Sequence, residues 1–172
     1  MKADSDIIKM QFYADKILKG YELNCKEIKY IIKKVQEDVL IKEPNVLNLS
    51  SPVYIVGGIG GNFKDLLSIF DIGGPLPHST YLFLGNYSEN NGFSINTVLL
   101  LFIYKYIYRE NIYLIRGTNE NILKTKQVNE EERKKIPITS KNIELTLEKQ
   151  FMYFFDQKDT QEIWELCAKA FD

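Results

Sequence analysis

The chain has 172 residues, of which 45% are hydrophobic and 26% are charged. This length and apolar content are enough for one globular domain with a buried core. Its 22 basic and 23 acidic residues leave a formal net charge of -1, so no overall field favours nucleic acid or an anionic membrane. We therefore expect neither as a partner.

The two cysteines and the apolar stretches indicate where the protein resides. Cys25 and Cys167 match no zinc or redox spacing, which favours free, buried thiols in a reducing compartment, although the two could pair. The amino terminus lacks a signal-peptide pattern. The most apolar stretch, residues 97–104, is interrupted by Lys105 and is shorter than the roughly 18 residues of a membrane span. These features predict a cytoplasmic or nuclear protein without a membrane partner.

The first 50 residues have helical periodicity. A first amphipathic helix is predicted over residues 7–19, with Gly20 as its stop. Its apolar positions are Ile7, Ile8, Phe12, Ile17 and Leu18. Asn24 and Glu27 have the spacing of a capping box for a second helix, which Pro44 ends. The expected buried stripe of that helix is Ile28, Ile31, Ile32, Val35 and Val39.

The period then changes to that of an α/β unit. Residues 53–56, 81–84 and 112–115 are compact apolar runs bounded by Gly, Asn and Pro, which is typical of strands buried on both faces. Helical segments at residues 62–70 and 94–108 separate them. This β-α-β-α-β order predicts a parallel sheet with right-handed crossovers.

A glycine-bearing loop follows each predicted strand: residues 57–61, 85–90 and 116–120. Ligands of open parallel sheets bind at the carboxyl ends of the strands, so we expect the loops to converge on one site. One candidate chemistry is a dinucleotide phosphate turn, but the third glycine of G-x-G-x-x-G falls at Phe63. The other is a phosphoesterase site with two metal ions, which takes its ligands from several loops.

Several segments favour the second candidate: PVYIVGGIGGNFKDLL (52–67), GG (73–74), YLFLGNY (81–87), SINTV (94–98) and ENIYLIRG (110–117). Together they resemble the first half of a serine/threonine protein phosphatase catalytic domain, nearest the type 2A branch. The corresponding family motifs are G-D-x-H-G, G-D-Y-V-D-R-G and R-G-N-H-E. The resemblance implies the amino-terminal half of a metallophosphatase fold, also called a calcineurin-like phosphoesterase fold. In the family this fold binds two divalent metals of the manganese or iron/zinc type.

The resemblance also implies that the metal ligands have changed. The family's metal-binding Asp and His of the first loop fall at Gly58 and Gly60, and its bridging Asp falls at Asn86. The metal-binding Asn of the third loop falls at Thr118. We therefore expect no metal cofactor, because glycine has no donor atom in its side chain and neutral Asn86 cannot offset two cations.

The catalytic positions differ from the family in the same way. The family's catalytic His falls at Asn119, the Asp that orients it at Glu89, and the Arg that grips phosphate at Asn90. His78 lies in a turn-rich connection and is expected to be a solvated loop residue. The positions that keep the family residue are Gly57, Gly61, Gly85, Tyr87, Arg116, Gly117 and Glu120. These are scaffold positions, so they indicate the fold rather than the activity.

We interpret residues 1–172 as a single truncated phosphatase-like domain. Its expected parts are a helical lead-in at 1–50, a motif-bearing unit at 51–120, a charged insert at 121–150 and a terminal helix at 151–172. The insert is either a solvated helix and loop or a tail that docks a partner. Without the second half of the family domain, we expect uncovered apolar surface.

The functional expectation is a catalytically inactive phosphatase-like protein, a pseudophosphatase. It would bind a regulatory subunit, a scaffold subunit or a phosphoprotein without hydrolysing it. Two alternatives stay open: a nonfunctional product of a decayed or truncated gene, and a residually active, metal-dependent protein phosphatase.

Overall fold

The computed structural model describes residues 2–88, 92–121 and 147–172. Their elements, in chain order, are α1 (Lys2–Leu18), α2 (Cys25–Asp38), β1 (Tyr54–Val56), α3 (Phe63–Gly73), β2 (Tyr81–Phe83), α4 (Ser94–Ile107), β3 (Ile112–Leu114), α5 (Leu147–Phe154) and α6 (Gln157–Phe171). A short 3-10 helix, Leu40–Lys42, follows α2. This order confirms the predicted fold class. Most of the predicted insert lies outside the described residues.

Helix α1 extends further towards the amino terminus than predicted, and its buried face differs from the predicted apolar set. Gly20, with φ of 78°, follows its end as expected. Ile8 and Phe12 are 66% and 58% exposed. The buried face consists of Met10, Tyr13, Ala14 and Ile17, of which Ile17 was predicted, and the predicted Ile7 is half-buried against the core. These four recur every three or four residues, and α1 contacts α4.

Helix α2 follows the sequence prediction closely. The Glu27 N–H donates to Asn24 Oδ1 at 3.1 Å, and the Asn24 N–H donates to Glu27 Oε2 at 2.9 Å, so the capping box is confirmed. The predicted stripe is buried, and α2 packs against α4 and α6. The helix ends at Asp38, several residues before Pro44.

The sheet is parallel, with strand order β1-β2-β3. Tyr81 and Phe83 are fully buried, and the Phe70 ring of α3 lies 5.1 Å and 6.2 Å from their ring centroids. Each strand is followed in the sheet by the next strand in the sequence. Right-handed crossovers between such strands place both connecting helices on the same face of the sheet. The α3 and α4 layer therefore covers the face that carries Tyr81 and Phe83.

The prediction that the strands are buried on both faces is wrong. Ile55 pairs with Leu82, which pairs with Tyr113, so the three share the opposite face. On that face Ile55 is 69% exposed and Ile115 49% exposed. The reason is that α3 and α4 pack on one side only. Within the described residues, Ile55 and Ile115 thus expose apolar side chains on the second side of the sheet, in line with the uncovered surface that we expected.

Other features bear on the earlier expectations. Cys25 is half-buried and Cys167 is buried, and both are free thiols. Burial raises the pKa of the Cys167 thiol to about 12, so it stays protonated.

The predicted terminal helix comprises the end of α5 and all of α6. The two helices are separated at Asp156, whose side chain accepts the Asp159 N–H at 2.8 Å. In the part of the chain that the structure describes, no helix has the length and apolar character to cross a membrane.

The open sheet face generates a first prediction. The isolated chain should bind a hydrophobic dye and sediment as more than a monomer at micromolar concentration, because apolar faces and strand edges promote association. Replacing both Ile55 and Ile115 with Thr keeps β-branched side chains and should reduce dye fluorescence and association. The matched control is Ile72→Thr, since Ile72 is 85% exposed but lies on α3. A compact wild-type monomer that leaves the dye dark would contradict the prediction.

Candidate functional site

The three glycine loops meet at the carboxyl ends of the strands, as the sequence predicted. The Gly60 N–H of the first loop donates to the Asn86 carbonyl oxygen of the second at 3.0 Å. The Asn119 N–H of the third loop donates to Asn86 Oδ1 at 3.2 Å. Asn86 thus contacts both neighbouring loops and lies at the centre of the candidate site.

Glu120 is a buried carboxylate that binds the backbone of two loops. Its side chain belongs to the third loop and is 1% exposed as a residue. Oε2 accepts the N–H groups of Asn86 at 2.7 Å and Gly117 at 3.0 Å. Oε1 accepts the Tyr87 N–H at 2.7 Å. Such charge-assisted bonds are about twice as strong as neutral ones, so Glu120 fixes the second loop against the third.

The backbone of the second loop depends on close approach. A Cβ atom built on Gly85 would lie 2.2 Å from the Gly117 nitrogen, and Gly85 has φ of 92°. Only glycine meets both requirements. The next residue, Asn86, has φ of 56°, a left-handed conformation that Asn tolerates better than most side chains. The glycines at 85 and 117 are therefore required by the packing of the two loops.

Tyr87 connects this loop to the sheet. It is 2% exposed, and its hydroxyl donates to the Ile115 carbonyl oxygen at 2.7 Å. Burial, followed by the charge of Glu120, raises the pKa of Tyr87 well above its usual range. The phenol therefore remains a donor at all physiological pH values.

The sequence analysis missed two contacts that hold the loops, one from helix α4 and one between the second and third loops. Thr97 Oγ1 donates to the Gly61 carbonyl oxygen at 3.2 Å and so holds the first loop. The Asn119 side chain donates from Nδ2 to the Ser88 carbonyl oxygen at 3.1 Å. A buried Thr within the apolar run of α4 was the available signal for the first contact. The second joins residues 31 positions apart and had no local signal.

The described residues do not fit the pair of divalent metals that the phosphatase resemblance implies. No group of three His, Cys, Asp or Glu side chains in the described ranges is placed to hold a metal ion. Glu120 points into the backbone contacts given above, and Asn86 Oδ1 already accepts the Asn119 N–H. Gly58 and Gly60 contribute only backbone atoms. The predicted positions Glu89 and Asn90 lie outside the described residues.

The remaining predicted residues lie outside the contacts that centre on Asn86. Thr118 is exposed, and its carbonyl oxygen accepts the Asn121 N–H at 3.3 Å. Arg116 pairs through Nη1 with Asp172 at 2.6 Å. His78 is exposed in the connection before β2, as the sequence predicted. The site therefore brings together the Glu120 carboxylate, side-chain amides, the hydroxyls of Tyr87 and Thr97, and backbone groups.

Comparisons with known proteins agree with this geometry. Over 85 residues, or 49% of the chain, it is 44% identical to the serine/threonine-protein phosphatase PP2A-like PPG1 of Saccharomyces cerevisiae. It is 48% identical over the same length to a putative serine/threonine-protein phosphatase of Schizosaccharomyces pombe. About half of this chain is homologous to serine/threonine protein phosphatases. No protein-family profile matches the chain.

The structure extends the likeness beyond this phosphatase-like half. A solved Saccharomyces cerevisiae protein serine/threonine phosphatase, described as similar to human phosphatase PP5, superposes with a TM-score of 0.68 over 92% of this chain. At 23% identity that match shows the fold alone. The chain covers 49% of the solved chain, and 23% and 28% of the two curated relatives. The activities of those whole proteins are therefore considered below only as proposals.

The backbone contacts of Glu120 generate a second prediction. In Glu120→Gln one acceptor oxygen becomes an NH2 group that faces backbone donors, so the free energy of unfolding should fall by about 2–3 kcal/mol. Urea unfolding followed by circular dichroism measures the loss. The matched control is Glu165→Gln on the exposed side of α6, which should change stability by less than about 0.5 kcal/mol. Equal effects of the two variants would show that the Glu120 contacts are unimportant.

Proposed function

We propose that this chain is a phosphatase-like protein that does not hydrolyse phosphoesters and acts by binding. The binding partner is a phosphatase regulatory or scaffold subunit, or a phosphoprotein. One observation carries the proposal: Glu120 holds the loops together while Gly58, Gly60 and Asn86 occupy the family's ligand positions. A cytoplasmic or nuclear location without nucleic-acid or membrane partners is part of the proposal, supported by the balanced charge.

Electrostatics supports the loss of metal chemistry. Two divalent cations about 3.5–4 Å apart repel each other strongly, and an anionic bridging ligand makes their proximity tolerable. Asn86 is neutral, and its side-chain oxygen is engaged by the Asn119 N–H. Losing even one outer partner of a metal ligand typically lowers affinity or activity by about 10 to 100-fold. Replacing several direct ligands together should therefore abolish metal binding.

The loop backbone also opposes simple restoration of the ligands. Gly60 has φ of 55°, where a histidine side chain would be strained. A Cβ atom on Gly58 would lie 3.1 Å from Asn86 Cβ, which is tighter than an ordinary contact. An aspartate at 58 would therefore require Asn86 to shift by a few tenths of an ångström. The first loop is thus shaped for glycine and not merely lacking two side chains.

A third prediction tests the loss of catalysis. The purified chain with millimolar manganese should not turn over p-nitrophenyl phosphate, and manganese, magnesium or zinc should leave Tm unchanged. A bound ion at a hundred times its Kd would add about 2.7 kcal/mol of stability, which a thermal shift detects. The double variant Gly58→Asp, Gly60→His should be equally inactive. Turnover that copurifies with the protein and disappears with chelator would establish residual activity instead.

A fourth prediction separates an adaptor from a nonfunctional product. The chain should bind the purified scaffold subunit of a type 2A phosphatase, or a phosphoserine peptide, and calorimetry on each probe reports which. Glu120→Gln should weaken the interaction because it loosens the loops, whereas Glu165→Gln should not. Competition by an active catalytic subunit would support binding to the scaffold. A folded chain that binds neither probe would favour the decayed gene product.

A further inference from the structure

A mostly apolar cleft of about 40 Å³ lies beside the third loop, between the end of β3, α4 and the end of α6. Its lining includes Tyr87 and Arg116 of the glycine loops but not Asn86. Its apolar walls include Leu40, Phe102, Leu114, Ala170 and Phe171. Among the described residues that line it, Arg116 alone carries a charge. A concave apolar site with one fixed cation is suited to a ligand that has an apolar group and a negative charge.

Arg116 already binds a carboxylate at this place. Its Nη1 lies 2.6 Å from Asp172 Oδ1, and the two side chains are 41% and 63% exposed. An ion pair that is exposed to this extent contributes little to stability, because water screens it. A carboxylate from another molecule can therefore replace Asp172 at small cost. The guanidinium also offers several donors in a planar fork, which suits recognition of carboxylates.

We propose that this cleft binds a segment of a partner protein in which an apolar side chain lies next to an acidic side chain. The apolar side chain enters between Phe102, Leu114 and Phe171, and the carboxylate pairs with Arg116 in place of Asp172. At about 40 Å³ the cleft is far smaller than the roughly 300–1,000 Å³ of small-molecule sites, so it accommodates one anchor side chain of a peptide and not a whole small molecule. Because Arg116 is the charged residue of the lining, the charged side chain of the partner segment must be negative.

The cleft is also connected to the glycine loops. Arg116 immediately precedes Gly117, whose N–H group donates to Glu120. Tyr87, which lines the cleft, donates its hydroxyl to the Ile115 carbonyl oxygen. An occupied cleft is therefore in contact with residues that hold the second and third loops. This surface deepens the binding role proposed above and rests on it only in requiring a protein partner.

The test uses a short peptide probe and the full chain. The probe is acetyl-Leu-Asp-methylamide, compared with acetyl-Leu-Asn-methylamide, which lacks the charge, and acetyl-Ala-Asp-methylamide, which lacks the anchor. Titration of the 15N-labelled chain by NMR at millimolar probe concentration should give saturable shifts at residues 115–116 and 170–172. The Asn and Ala probes should each bind at least fivefold more weakly.

Variants of the cleft sharpen this test. Arg116→Gln should lower affinity for the Asp probe to that of the Asn probe, and Ala170→Leu should block binding by filling the cleft. Asp172→Asn removes the internal competitor and should tighten binding several-fold, which a purely structural role of the ion pair does not predict. The matched control, Lys169→Gln, removes an exposed charge of α6 outside the lining and should leave affinity unchanged.

The outcomes are distinct. No saturable shift with the Asp probe, unchanged affinity in Arg116→Gln, or weaker binding in Asp172→Asn would overturn the proposal. The two variants of the exposed ion pair decide the question even if Ala170→Leu does not fold. Scaffold-subunit binding that persists in Arg116→Gln, together with a silent peptide probe, would reject this cleft while leaving the proposed adaptor function intact.

Discussion

The buried carboxylate of Glu120 is the interaction on which the site depends. It accepts the backbone N–H groups of Asn86, Tyr87 and Gly117, which are partly or fully buried where the second and third loops pack together. Leaving such groups unpaired costs about 1–3 kcal/mol each. The contacts of Asn86 with Gly60 and Asn119 are possible because Glu120 has already placed the Asn86 backbone. The first loop therefore also takes its position from a residue that it does not touch.

This arrangement explains how a phosphatase-like fold can persist without the ligands of a metal centre. The groups that hold the loops are backbone atoms, the Glu120 carboxylate and the hydroxyls of Tyr87 and Thr97. At the positions where the resemblance places metal ligands, Gly58 and Gly60 have no side chain, and the Asn86 side chain accepts the Asn119 N–H. A side chain at Gly58 or Gly60 would also perturb the shape of the first loop, through a close contact with Asn86 at 58 and a left-handed backbone at 60. Glycine at 85 and 117 is different, because any side chain there would collide with the neighbouring loop.

Sequence reasoning predicted the features that depend on local signals. The capping box at Asn24, the buried stripe of α2 and the order of strands and helices each follow from spacing within a few residues. It could not predict the exposure of Ile55, since an apolar strand has the same pattern whether one or both faces are covered. The Glu120 bonds were equally hidden, because they join residues 33 and 34 positions apart. Glu120 was recognised as scaffold, but only the structure gives its contacts.

The fold also separates two kinds of apolar surface, and they have different consequences. The open sheet face around Ile55 is broad and carries no charged group in its strand register, so it favours association without selecting a partner. The cleft beside Arg116 is concave and has a cation at its edge, so shape and charge together restrict what fits. We therefore assign the proposed specific recognition to the cleft and the predicted association to the sheet face. Because Arg116 adjoins Gly117, recognition at the cleft also reaches the loops that Glu120 holds.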